Sequence, residues 1–124
     1  MDATTAVAWQ WIGAPVVMLG VSAAYFTAYR GRPAYGPRLL CSAHGFVGAA
    51  LYVGALALWA VSPAYRPSLG WPYAVSFLLP LVLIVLALIK FKGPKWIHLL
   101  QLPNLCAMYW SLFIGGMAIT GDWL

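Results

Sequence analysis

The chain has 124 residues, 64% of them hydrophobic and 7% charged, with a net charge of +5 and a mean hydropathy of +0.86. Soluble domains carry about 25% charged residues, so this sequence could not cover a water-facing surface, and its length fits one domain spanning residues 1–124. The positive charge is not a nucleic-acid footprint, because six of the seven basic residues fall in two short polar stretches that border apolar blocks.

The first apolar block covers about residues 6–29, with Trp9 and Trp11 near one end and Tyr25, Phe26 and Tyr29 near the other. A membrane span needs about 20 residues, and aromatic residues favour its two interfaces. A cleaved signal peptide would begin with basic residues. Here Asp2 precedes the apolar run and the positive charges follow it, so this segment reads as an uncleaved first span.

The second block, about 39–61, is rich in Gly, Ala and Ser. Small residues let helix backbones approach closely in lipid, where no hydrophobic force drives helices together. Gly45, Gly48 and Gly54 are therefore read as helix-packing positions, either within the fold or as a docking seam for a partner helix or a flat cofactor. The third block, about 72–89, has no polar side chain after Ser76 and is expected to face lipid. The fourth, about 96–119, is the most polar, with His98, Gln101, Asn104, Cys106 and Ser111. Pro15, Pro80 and Pro103 each fall within a span, where proline removes a backbone hydrogen bond and bends a helix.

Cytoplasmic loops carry the Lys/Arg excess. Arg30, Arg32 and Arg38 in one loop, and Lys90, Lys92 and Lys95 in another, place both loops inside, while Arg66 and the two termini lie outside. Near the inner surface these cations also favour anionic lipid headgroups. The short connections join antiparallel neighbours. The expected fold is an all-α integral membrane protein, an antiparallel four-helix transmembrane bundle with N and C outside, in the plasma (inner) membrane.

Polar groups inside a membrane are expensive and mark functional candidates. Counted from the cytoplasmic ends of their spans at 1.5 Å per residue, His44 and Gln101 lie about 7–8 Å deep, His98 about 3 Å and Asn104 about 12 Å. Spacings of about three residues place His98, Gln101 and Asn104 on one helix face, and His44 converges on it if spans two and four are neighbours. Three uses are open to such a cluster. It could tie helices together, it could form a polar patch for a quinone, headgroup or peptide, or His44 and His98 could ligate a b-type haem. Cys41 and Cys106 form no C-x-x-C motif and are read as small buried residues, with a Cys41–His44–Cys106 metal site only a remote alternative.

The small four-helix multidrug exporters are similar to this chain in size and depend on an intramembrane carboxylate. No Asp or Glu lies within a span here, so the resemblance ends at length. Hydrolytic chemistry would lack its usual acid or base, and no nucleotide, protease or hydrolase motif is present. The expectation is a non-enzyme with no resident cofactor, acting by contact as an accessory subunit or as an immunity-type binder of a membrane-active partner. Its partners would be lipid and another membrane protein or a second copy, and its contact surfaces the outer loop (Tyr65, Arg66, Trp71, Tyr73) and the span-two seam. A haem- or quinone-binding electron-transfer subunit is the alternative, and a small-solute channel the third reading.

Overall fold

The structure is a computed structural model that describes residues 2–30 and 35–122, except the side chains of Ala6 and Val7. Arg32, read above as part of the first basic loop, lies outside the described residues. Among the described residues five α-helices follow in order: α1 (Ala3–Ala28), α2 (Tyr35–Val61), α3 (Gly70–Ser76), α4 (Leu78–Lys90) and α5 (Gln101–Thr120), with short 3-10 turns at Pro67–Leu69 and Lys95–Leu100. Among the described residues four stretches are long and apolar enough to cross a membrane: Ala8–Ala28, Tyr35–Val61, Pro67–Lys90 and Lys95–Thr120. In hydrocarbon every backbone N–H and C=O needs an internal partner, which a continuous apolar segment meets by becoming helical.

Asp2 caps α1. Its carboxylate accepts hydrogen bonds from Thr5 N and Thr5 Oγ1, both at 2.8 Å, and these bonds, the backbone one foremost, hold the carboxyl below its usual range. Pro15 lies inside α1. Its ring nitrogen cannot donate to the carbonyl of Trp11 four residues back, and Tyr52 of α2 supplies the missing donor, Oη to Trp11 O at 2.9 Å.

The third apolar block is interrupted at Phe77, between α3 and α4. Pro80 has no N–H for Ser76 O, so the α-pattern stops there; Phe77 N bonds Ala74 O at 3.2 Å and Leu81 N bonds Phe77 O at 3.2 Å, bridging the break. This block is buried along one side and exposed on the others. Tyr73, Phe77, Pro80, Ile84 and Ala87 are buried at alternating spacings of four and three, a single stripe, while Leu78, Leu79, Val82 and Val85 are exposed. The even apolarity of the run hides that stripe in the sequence.

α2 packs against α1, α4 and α5, whereas α5 packs against α1, α2 and α3. Two backbone bonds tie the connections together. Arg30 N donates to Lys92 O at 2.6 Å, and Arg66 N donates to Thr120 O at 2.5 Å. Gly121 ends α5 in the left-handed region at φ 75°, where a Cβ would overlap Ala64 O, so the connection after α2 lies directly on this helix end.

Candidate functional site: a buried carboxamide–histidine cluster

The close approach of α1 and α2 starts at Gly45, where any Cβ would overlap Met18 O and Ser22 Oγ of α1. Gly48 is nearly as tight, with Met18 Sδ 3.0 Å from an ideal Cβ. Gly54 differs. It is exposed with nothing near its Cβ position, because it lies on another side of α2. The tight part of the seam is thus occupied within the chain, leaving no docking groove for a partner helix at Gly45 or Gly48.

That approach carries His44, next to Gly45, into the interior, where it is 0% exposed beside Tyr25 of α1 and Asn104 of α5, also 0%. The local backbone explains the other members. Pro103 sits in the first turn of α5 and cannot bond Leu99 O, so the chain runs as a 3-10 turn through Leu100 before α5 begins. In a 3-10 turn residues three apart eclipse, which aligns His98 with Gln101.

The polar contacts form two sets. His98 Nδ1 and Tyr25 Oη are hydrogen-bonded at 2.8 Å. Deeper in, Asn104 Nδ2 donates to Gln101 Oε1 at 2.8 Å, His44 Nε2 lies 3.3 Å from Gln101 Nε2, and His44 Nδ1 lies 3.5 Å from Asn104 Nδ2. Tyr25 joins the sets: its ring meets His44 edge-on at 5.2 Å and 90°, and also packs against His98 at 5.8 Å. Phe91 closes this end, 4.8 Å from Tyr25 and 5.6 Å from His98.

A neutral imidazole has one N–H and one lone pair. It can accept from only one of the two carboxamide nitrogens facing it, so the His44–Gln101–Asn104 triangle leaves one edge unmade. The Asn104 edge is the longer, and Asn104 Oδ1 is buried without a partner.

These residues do not fit a bis-histidine haem. Both nitrogens of His44 already face carboxamides, His98 Nδ1 is engaged by Tyr25, and the Tyr25 ring lies against both imidazoles, where a shared macrocycle would need room. Among the described residues no group of three or more His, Cys, Asp or Glu side chains could hold a metal ion. Cys41 is buried, but Cys106, expected to be buried, is exposed because it lies off the buried face of α5 that carries Gln101, Asn104, Met108, Ser111 and Gly115.

The outer-loop residues divide. Tyr65 and Trp71 are 68% and 80% exposed. Arg66 is half-buried, its guanidinium donating from Nη2 to Ser62 O at 2.6 Å and to Ser62 Oγ at 2.9 Å. Tyr73, expected on the contact surface, is buried: its hydroxyl lies over Gly115, where a Cβ would overlap it, and donates to Ser111 O at 2.8 Å. Beside this loop a groove of about 340 Å³ is lined by Ala50, Gly54, Leu69, Pro72 and Ile119.

Tyr25 and Ser22 were missed from the sequence, Tyr25 having passed as an interface aromatic. A signal was present: Met18, Ser22, Tyr25 and Tyr29 recur at spacings of four and three, and all are buried. Comparison with models of protein families, with curated protein sequences and with solved structures finds no match to this chain.

Proposed function

We propose that this chain is a multi-pass inner-membrane protein that works by contact, as an accessory subunit of a membrane complex or an immunity-type binder of a membrane-active partner. In this reading the four apolar stretches form an antiparallel bundle with both termini outside, oriented by the six-to-one distribution of basic residues. The observation that carries the contact role is the exposure of Tyr65 and Trp71 beside a fixed backbone. Arg66 is bonded through its main chain to Thr120 and through its guanidinium to Ser62, so two large aromatic side chains are presented on a connection that is already ordered. Exposed aromatics held in place bind with little ordering cost, and aromatic residues are enriched at the energetic centres of interfaces. The polar cluster, by contrast, is engaged internally, which favours helix registration as its role over a ligand site or a conduction path.

The competing role for Tyr65 and Trp71 is anchoring at the membrane interface. A photo-crosslinking residue placed at position 65 or 71 in native membranes separates the two. Contact with a partner gives a discrete protein adduct from these sites and none from position 85 on the exposed face of α4. Lipid adducts alone at 65 and 71 would leave the contact reading without support.

A further inference from the structure

Arg30 and Lys92 are about sixty residues apart in sequence, yet the fold joins them. Arg30 N bonds Lys92 O at 2.6 Å, so the segment leaving α1 runs against the segment leaving α4. Gly93 deepens that contact: an ideal Cβ there would lie 2.7 Å from Ala28 O and 2.6 Å from the Phe91 ring. Arg30, Lys90, Lys92 and Lys95 are exposed around this junction. Arg38 reaches back to it, with Nη2 donating to Tyr29 O at 3.3 Å and the guanidinium 5.1 Å from the Phe26 ring centroid. The only carboxylates in the sequence, Asp2 and Asp122, belong to the opposite end: Asp2 caps α1, a helix about 39 Å long at 1.5 Å per residue.

Orientation in the membrane requires basic residues in each inner loop but does not require the loops to be bonded together. Their junction makes one cationic platform with two parts, an arginine part (Arg30, Arg38) and a lysine part (Lys90, Lys92, Lys95). Guanidinium groups bind phosphate oxygens in pairs, while ammonium groups act as point charges. We propose that this platform binds the headgroup of a lipid carrying two phosphates, one against each part. A lipid with one phosphate would engage only one part, and linking two phosphates makes the second contact intramolecular. The proposal rests on the membrane reading of the four helices and not on the outer-loop contact, so failure of the cross-linking test leaves it untouched.

The test uses the full-length protein in neutral detergent, with native mass spectrometry as the readout. Diphosphatidylglycerol, phosphatidylglycerol at matched phosphate concentration, phosphatidylcholine and inorganic phosphate are titrated in parallel. The expected result is a one-to-one adduct with diphosphatidylglycerol, at least about tenfold tighter than phosphatidylglycerol, weakening as salt rises. The double variant Arg30→Gln, Lys92→Gln should lose that preference. Gly93→Ala keeps every charge but wedges the two segments apart, and should lose the preference while still binding the single-phosphate lipid. Equal binding of both lipids per phosphate overturns the site in favour of diffuse surface charge. Binding of inorganic phosphate as tightly as the lipid, no binding at all, or an undiminished preference in Gly93→Ala also overturns it.

Discussion

Tyr52 donates its buried hydroxyl to the carbonyl of Trp11, the one carbonyl of α1 that Pro15 cannot bond. A proline in a membrane helix is tolerated where a neighbour restores the lost bond, and here the repair comes from α2. The pair therefore does two things: it replaces the donor that α1 lacks at Pro15 and it ties α1 to α2.

Tyr52→Phe should destabilise the protein by about 0.5–1.5 kcal/mol, the net contribution of the part-buried hydrogen bond that it removes. In a Pro15→Ala background residue 15 regains an N–H for Trp11 O, so the same Tyr52→Phe change should then cost little. Unfolding in mixed micelles measures the four species. Equal losses in both backgrounds would mean that the hydroxyl is not serving the proline.

The glycines of α2 should separate sharply. Gly45→Ala puts a methyl into the α1 backbone and should cost about 3 kcal/mol, at the upper end for overpacking. Gly48→Ala meets the flexible Met18 side chain and should cost less than about 1 kcal/mol. Gly54→Leu points into open space and should leave thermal stability within about 0.5 kcal/mol of the parent protein. A Gly54→Leu protein as unstable as Gly45→Ala would contradict the packing described here.

Within the polar cluster, coupling should follow the hydrogen bonds. His44→Ala with Gln101→Ala, and Tyr25→Phe with His98→Ala, should each be non-additive by about 0.5–1.5 kcal/mol, because each single change strands its partner. His44→Ala with His98→Ala should lie nearer additivity, since the two rings touch Tyr25 and not each other through a hydrogen bond. Stability cycles in detergent decide between these patterns. Strong coupling of the two histidines, with none inside either pair, would refute the division into two sets.

Orientation is open to direct measurement. Cysteines introduced at Ser68 and near Asp2 should react with a membrane-impermeant maleimide in intact cells, while those at Gly36 and Lys92 should react only after permeabilisation. Reaction at Gly36 in intact cells would reverse the inside-outside assignment drawn from the basic residues.

The sequence by itself determined the approximate extent of four stretches long and apolar enough to cross a membrane, because length and hydropathy are properties of a segment alone. It also singled out His44, Gln101 and Asn104, since a polar side chain in an apolar run is conspicuous wherever it ends up, and all three meet in the interior. Which residues faced one another was a different matter. Gly45 and Gly54 look alike in sequence, yet one touches a backbone and the other faces open space, because helix rotation decides and small residues leave no periodic mark of it. Tyr73 passed as an outer aromatic until the Phe77 break and the bare Cα of Gly115 gave its hydroxyl a place beside Ser111 O. Tyr25 passed as an interface anchor until α1 turned it toward two histidines. In each case the deciding contact lies tens of residues away along the chain, so only the packing of one helix against another, set by close backbone approach and paired polar groups, could specify it.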